Sequence, residues 1–165
     1  MLNKPIVKNK RSGFTLIELL VVIMILGILA ALITGNFFTS LKKGRDAKRK
    51  SDLEQIQRAL EMYYDDKAAY PTLFAFGSNL ADPDSGKIYM QKTPNDPVPG
   101  KNYVYVSSGT DYKIYACLEN DQQILPYPNA LNPSSPLDCS TNCYAQDGTT
   151  KIKCIYGISS SNTTP

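Results

Sequence analysis

Glu18 is the residue of this chain that most needs a chemical reason. It is the one charge in an apolar run of about 20 residues that starts at Phe14, a run long enough to cross a bilayer. A carboxylate at mid-membrane costs roughly 2.5–3.5 kcal/mol on insertion scales, so it calls for a cationic partner. The plainer reading is a carboxylate that snorkels to the lipid surface, since Glu18 lies near the start of the run. Just upstream, Lys4, Lys8, Lys10 and Arg11 form a basic leader that ends in Gly13. The bond between Gly13 and Phe14 is a candidate cleavage site, because glycine has no Cβ to obstruct a protease beside a bulky residue. A secretory signal is cut after its apolar segment, whereas this site precedes it, so the apolar segment stays in the mature chain. The alternative is a single-pass signal anchor that carries an extracytoplasmic binding module and does not polymerise.

Four cysteines are the second set of reactive groups: Cys117, Cys139, Cys143 and Cys154. An even set in an extracytoplasmic domain reads as two disulfides. A zinc site is the rival, weakened by the absence of any Cys-x-x-Cys pair. Three connectivities are possible. Cys117 and Cys154 fall on expected strands, and Cys139 and Cys143 flank a short polar loop, which favours Cys117–Cys154 and Cys139–Cys143. The chain has no histidine, which excludes Ser-His and Cys-His nucleophiles and imidazole-bound metals. Asp82, Asp84, Asp96, Glu119, Asp121 and Asp147 are too scattered for a hard-cation loop and read as turn residues. No phosphate-binding glycine loop is present. These residues predict no enzyme, no metal and no cofactor.

The elements that must carry these groups follow from periodicity. The chain's 165 residues allow one domain plus an anchor. Residues 14–36 read as a membrane helix without proline, in which Gly27 and Gly35 allow close helix packing or local unwinding. Leu53, Ile56, Leu60 and Tyr64 continue at spacings of three and four, with Asp52, Gln55, Arg58 and Glu61 on the opposite face. Tyr70-Pro71 ends the pattern. The spacing therefore predicts one helix over 14–66, apolar all round in its first half and amphipathic in its second.

From 67 to 165 a small antiparallel β-rich head is expected, giving an α+β fold. Its strands should be Tyr103–Val106, Asp111–Leu118 and Lys151–Tyr156, the last entered through an Asp147-Gly148 turn. Ile114, Ala116 and Leu118 should share one strand face, and Tyr115 and Cys117 the other. Basic residues flank both sides of the apolar run, so the positive-inside rule gives no direction. The cysteines do, placing the head outside. The run Lys42, Lys43, Arg45, Lys48, Arg49, Lys50 reads as a collar for anionic lipid headgroups, and DNA phosphates are the weaker alternative partner.

The stretch Gly13-Phe-Thr-Leu-Ile-Glu-Leu-Leu20 resembles the start of type IV pilins and type II secretion pseudopilins. Tyr63-Tyr64, Tyr70-Pro71, Met90-Gln-Lys-Thr-Pro-Asn-Asp-Pro97 and Tyr103-Val-Tyr105 resemble the head of the major pseudopilin more loosely. The resemblance implies the type IV pilin fold, with residues 1–13 as a leader removed by a prepilin peptidase that then methylates the new amine of Phe14. It implies that this amine meets Glu18 of a neighbouring chain in a homopolymeric filament with other pilins. An inner-membrane assembly platform and a cytoplasmic ATPase would drive the process. The chain would be a single-pass inner-membrane protein, N-terminus inside, before joining an extracellular or periplasmic filament. Motility, secretion and DNA uptake remain open as the filament's task. Two departures stand out. Gly35 occupies the place where many pilins have a helix proline, and a cysteine-bearing segment replaces the major pseudopilin's calcium loop, so that calcium site is not carried over.

Overall fold

The computed structural model describes residues 13–129, 131, 137, 139–161 and 164–165, with the backbone alone at 34–36. The elements run α1 (Leu16–Lys67), β1 (Leu80–Ala81), β2 (Ile88–Met90), β3 (Val104–Ser107), β4 (Tyr112–Cys117), β5 (Asn142–Tyr144), β6 (Lys151–Lys153) and β7 (Ile155–Ser159). This is an α+β layout. The chain divides into two compact units, Met1–Phe38 and Thr39–Pro165.

The helix α1 is unbroken over its 52 residues, so Gly27, Gly35 and Gly44 do not interrupt it. It ends where Ala68 turns to φ +53° and donates its N–H to the Tyr64 carbonyl at 2.8 Å. This left-handed ending normally falls to glycine. In the first unit, Leu16–Ile33 is long and apolar enough to cross a membrane, and none of that stretch is buried.

In the second unit the helix buries Leu53, Ile56, Ala59, Leu60 and Tyr63. The expected stripe ended on Tyr64, but Tyr64 is exposed and stacks on Tyr70, ring centroids 4.6 Å apart. At about 100° per residue, Tyr63 lies nearer the middle of the Leu53–Leu60 face than Tyr64 does. The polar face is corrected as well. Asp52 is fully buried, accepting from Lys48 Nζ at 2.7 Å and from the Tyr103 hydroxyl at 2.9 Å. Glu61 accepts from the hydroxyls of Tyr70 and Tyr112 at 2.9 and 3.1 Å. Tyrosine hydroxyls supply the donors that let carboxylates sit at the edge of an apolar core.

The sheet against this face has the order β3-β4-β7, antiparallel throughout. β1-β2 and β5-β6 are separate antiparallel pairs. Tyr112, Ile114 and Ala116 join the helix-side core, whereas Tyr115 and Cys117 pack with Cys139 and Ile155 on the other face. Leu118 departs from the expected face: it lies beyond β4 and packs with Leu125, Cys143 and Cys154. The single strand expected at 151–156 is two strands. The Cys154 N–H donates back to Thr141 at 3.0 Å, while the Cys154 carbonyl accepts from Leu118 at 2.8 Å. The chain thus changes partner at that residue, from β5 to β4. Gly157 faces Tyr115 across the β4–β7 pair, and a Cβ there would lie 2.8 Å from the tyrosine ring.

Candidate functional site

The first candidate site is the start of α1. Thr15 donates its N–H to Glu18 Oε2 at 2.8 Å, and its hydroxyl donates to the same oxygen at 2.8 Å. In return the Glu18 N–H donates to Thr15 Oγ1 at 3.3 Å. This is a capping box, with Thr15 as the N-cap and Glu18 three residues on. It holds the carboxylate at the helix N-terminus, where the backbone presents unsatisfied donors and a partial positive charge. Phe14, one residue before the cap, is 91% exposed. The structure therefore brings Phe14, Thr15 and Glu18 onto one helix start. Thr15 went unnoticed in the sequence, although the spacing Thr15-Leu-Ile-Glu18 signals it. Gly13 meets nothing within 4 Å of a would-be Cβ, so the adjoining peptide bond is open to approach. The basic leader residues Lys4, Lys8, Lys10 and Arg11 lie outside the described residues.

The second candidate region is the basic run, now corrected. Arg49 is fully buried. Its Nη1 donates to Asp46 Oδ1 at 2.9 Å, its Nε to Asp96 Oδ2 at 2.7 Å and its Nη2 to Glu119 Oε1 at 2.6 Å. Arg45 donates from Nη2 to Glu119 Oε2, also at 2.6 Å. Asp46 in turn accepts the backbone N–H groups of Glu119 and Asn120 at 2.9 and 2.8 Å and the Gln123 amide at 2.7 Å. Burial alone would lower the Arg49 pKa, but Asp96 and Glu119 more than reverse this and hold the guanidinium charged. The Glu119 carboxyl is pushed down to about 2, chiefly by its hydrogen bond from Arg45 and then by Arg49. Lys48 pairs with Asp52, and Lys50 donates to Gln123 at 2.6 Å and sits 5.3 Å from the Tyr156 ring centre. Four of the six cations thus bind within the head, and three of them, Arg45, Arg49 and Lys50, fasten the helix to the segments at 96 and 119–123. A uniform collar read from charge alone overlooked that acidic residues more than 45 positions away could claim these side chains.

The cysteines form two disulfides, Cys117–Cys139 and Cys143–Cys154, spanning 22 and 11 residues. This corrects the expected pairing. Cys117 and Cys154 do not face each other, because β4 pairs Cys117 with Ile155, and Cys154 sits at the crossover between β6 and β7. Cys139 instead covers the sheet face that carries Cys117, and Cys143 lies against Cys154 in the Leu118 cluster.

A long helix that begins in a capped apolar segment and continues as one face of a small antiparallel head is the layout of a pilin-like subunit. Residues 8–34 match the prokaryotic N-terminal methylation motif, and residues 36–123 match the family described as type II secretion system (T2SS), protein G. The chain belongs to the type II secretion system protein G family. Its similar proteins include the type II secretion system core protein G of Vibrio cholerae serotype O1, 35% identical over 109 residues that cover 61% of this chain and 74% of the relative. That of Aeromonas hydrophila is 37% identical over 116 residues, 65% of this chain and 80% of the relative. That of Pectobacterium carotovorum subsp. carotovorum is 41% identical over 114 residues, 64% of this chain and 72% of the relative. No solved structure matches. The ion cluster of Arg45, Asp46, Arg49, Asp96 and Glu119 lies inside the matched region, whereas Cys139, Cys143 and Cys154 lie beyond it. With one membrane-length apolar segment among the described residues, the chain is a singly anchored inner-membrane protein.

Proposed function

We propose that this chain is a pilin-like structural subunit of a type II secretion filament, made as a precursor and matured at its N-terminus. The observation that carries the reading is a methylation-motif segment, 8–34, running into a protein G region, 36–123, through one continuous helix. A prepilin peptidase hydrolyses the Gly13–Phe14 bond, releasing residues 1–13 and leaving a free amine on Phe14 that it then methylates. Residues 14–66 form the helix that polymerises, and 67–165 form most of the head.

The chemistry of assembly follows from the helix start. In the isolated chain the Glu18 carboxylate is held by donors of its own helix end. The exposed Phe14 presents its new amine close by. In the filament the amine of one chain meets Glu18 of the next, and this ion pair sets the register of apolar helices that exchange lipid for one another. Because cleavage creates the cation, an uncleaved precursor cannot form the pair. Movement out of the bilayer is driven by a separate platform with a cytoplasmic ATPase. Two disulfides in the head support a head outside the cytoplasm, with the N-terminus inside. The secretion reading is favoured over motility and DNA uptake by the family; Arg45 and Arg49 being occupied by acids argues further against DNA phosphates.

The test is intact-mass measurement of membrane-extracted protein from cells with and without a prepilin peptidase. The expected mass lacks residues 1–13 and carries one methyl group when the peptidase is present. An unshortened chain in peptidase-bearing cells would overturn the reading and favour a simple anchored binding module.

A further inference from the structure

A cleft in the head is lined by Lys42, Arg45, Arg49 and Lys101 against the single carboxylate of Glu119. The two arginines are engaged by Asp46, Asp96 and Glu119. Lys42 and Lys101 are different. Both are exposed, and neither has an ion pair among the described residues. They come from α1 and from the segment before β3, yet they open onto one cleft with Ser140 and Thr141. Two ammonium groups and two hydroxyls are the donor set that suits a phosphate group, whose oxygens accept several charge-assisted bonds at once.

The site is also held in shape. Val98 donates its N–H to Asp96 Oδ1 at 2.8 Å, and Lys101 donates its own N–H to the Val98 carbonyl at 3.1 Å. Asp96 is the residue clamped by Arg49. The buried ion cluster therefore fixes the backbone that carries Lys101. Val98, Leu118 and the Cys117–Cys139 bridge add apolar wall, which suits a phosphate with a greasy substituent over a bare ion. Lys42 adds a positional argument. Along the chain Lys42 follows the membrane-length segment Leu16–Ile33 by only nine residues, so it belongs to the stretch that comes directly after the anchor.

From this convergence of Lys42, Lys101, Ser140 and Thr141 we infer that the cleft binds a phosphate ester, its source being the headgroup of an anionic lipid. The inference does not depend on the filament reading, because it concerns a single chain in a membrane. The full-length chain in neutral detergent micelles is titrated with a short-chain phosphatidylglycerol, and separately with inorganic phosphate and with short-chain phosphatidylcholine. Backbone amide NMR shifts are the readout. Phosphatidylglycerol should saturate shifts at Lys42, Lys101, Ser140 and Thr141. Lys42→Gln and Lys101→Gln, both surface changes, should each weaken binding by about fivefold. Inorganic phosphate that saturates the same amides as tightly would support the phosphate site but make its source soluble. Three results would overturn the site: no saturable shift with either anion, equal response to phosphatidylcholine, or binding unchanged in both variants.

Discussion

The two units of this chain solve opposite problems. From Phe14 to Phe38 the apolar side chains described are exposed, and the polar bonds at the start are those of one capping box. From Thr39 onward, an arginine and two aspartates of the same helix, Asp46, Arg49 and Asp52, are buried. Among its described residues the first unit buries no apolar side chain, so lipid or other helices must cover it. The second has a core, three small sheets, a buried ion cluster and two disulfides. One helix therefore carries two kinds of information. Its first half leaves a surface for assembly, and its second half is consumed in folding. Changes in one half should leave the function of the other untouched, and the following experiments probe that division.

The largest effect should come from Arg49. Arg49→Met leaves Asp46, Asp96 and Glu119 facing one another without their cation, and breaking a buried pair this way costs about 3–5 kcal/mol. Urea denaturation of the full chain in detergent would read the loss. A loss below about 1 kcal/mol would mean that the ion cluster does not fasten the head.

Next come the disulfides. Closing loops of 22 and 11 residues constrains the unfolded chain by similar amounts, about 3 kcal/mol each on the chain-entropy model. Replacing either pair by serine should lower stability about equally. Non-reducing peptide mapping should recover Cys117 with Cys139 and Cys143 with Cys154. A Cys117–Cys154 peptide would refute the arrangement of the β4 face.

Acid should then act through Glu119. Its carboxyl pKa lies at about 2 in the folded head, below its ordinary value of 4.5. A depressed carboxylate pKa gives stability that is present above the unfolded value and is lost as pH falls through the folded one. The head should therefore lose on the order of 2 kcal/mol from this group between pH of about 4.5 and 2. In Glu119→Gln that part of the acid dependence should vanish, which thermal melts across the range would detect.

The smallest effect is a gain. Ala68 occupies a left-handed position at φ +53° that costs an L-residue. Ala68→Gly should raise the head's stability by about 0.5–1 kcal/mol despite glycine's greater freedom when unfolded. A lower melting temperature would show that the helix end is held by something other than this turn.

The buried stripe of Leu53, Ile56 and Leu60 and the β3–β4 hairpin were legible in the sequence, because each is a local pattern of period or turn. Three features were not. The fate of Arg49 depended on Asp96 and Glu119, residues 47 and 70 positions away, and spacing along a helix says nothing about such partners. The disulfide pairing depended on the crossover at Cys154, where two strands follow one another without a turn residue between them. Tyr63 and Tyr64 are adjacent and chemically identical, so only the angular drift of the core face separates the buried one from the exposed one. Thr15 belongs to another class. Its capping box is written in the spacing Thr15-x-x-Glu18, a local pattern that needs no distant partner.

The division between the two units is tested most directly at Glu18. Wild type and Glu18→Ala are expressed under the same conditions, sheared filaments are quantified, and the masses and melting temperatures of the membrane-extracted chains are measured. The account predicts that the Glu18→Ala chain is inserted, loses residues 1–13 and melts like wild type, yet yields few or no filaments. Filaments at the wild-type level from the processed variant would contradict it.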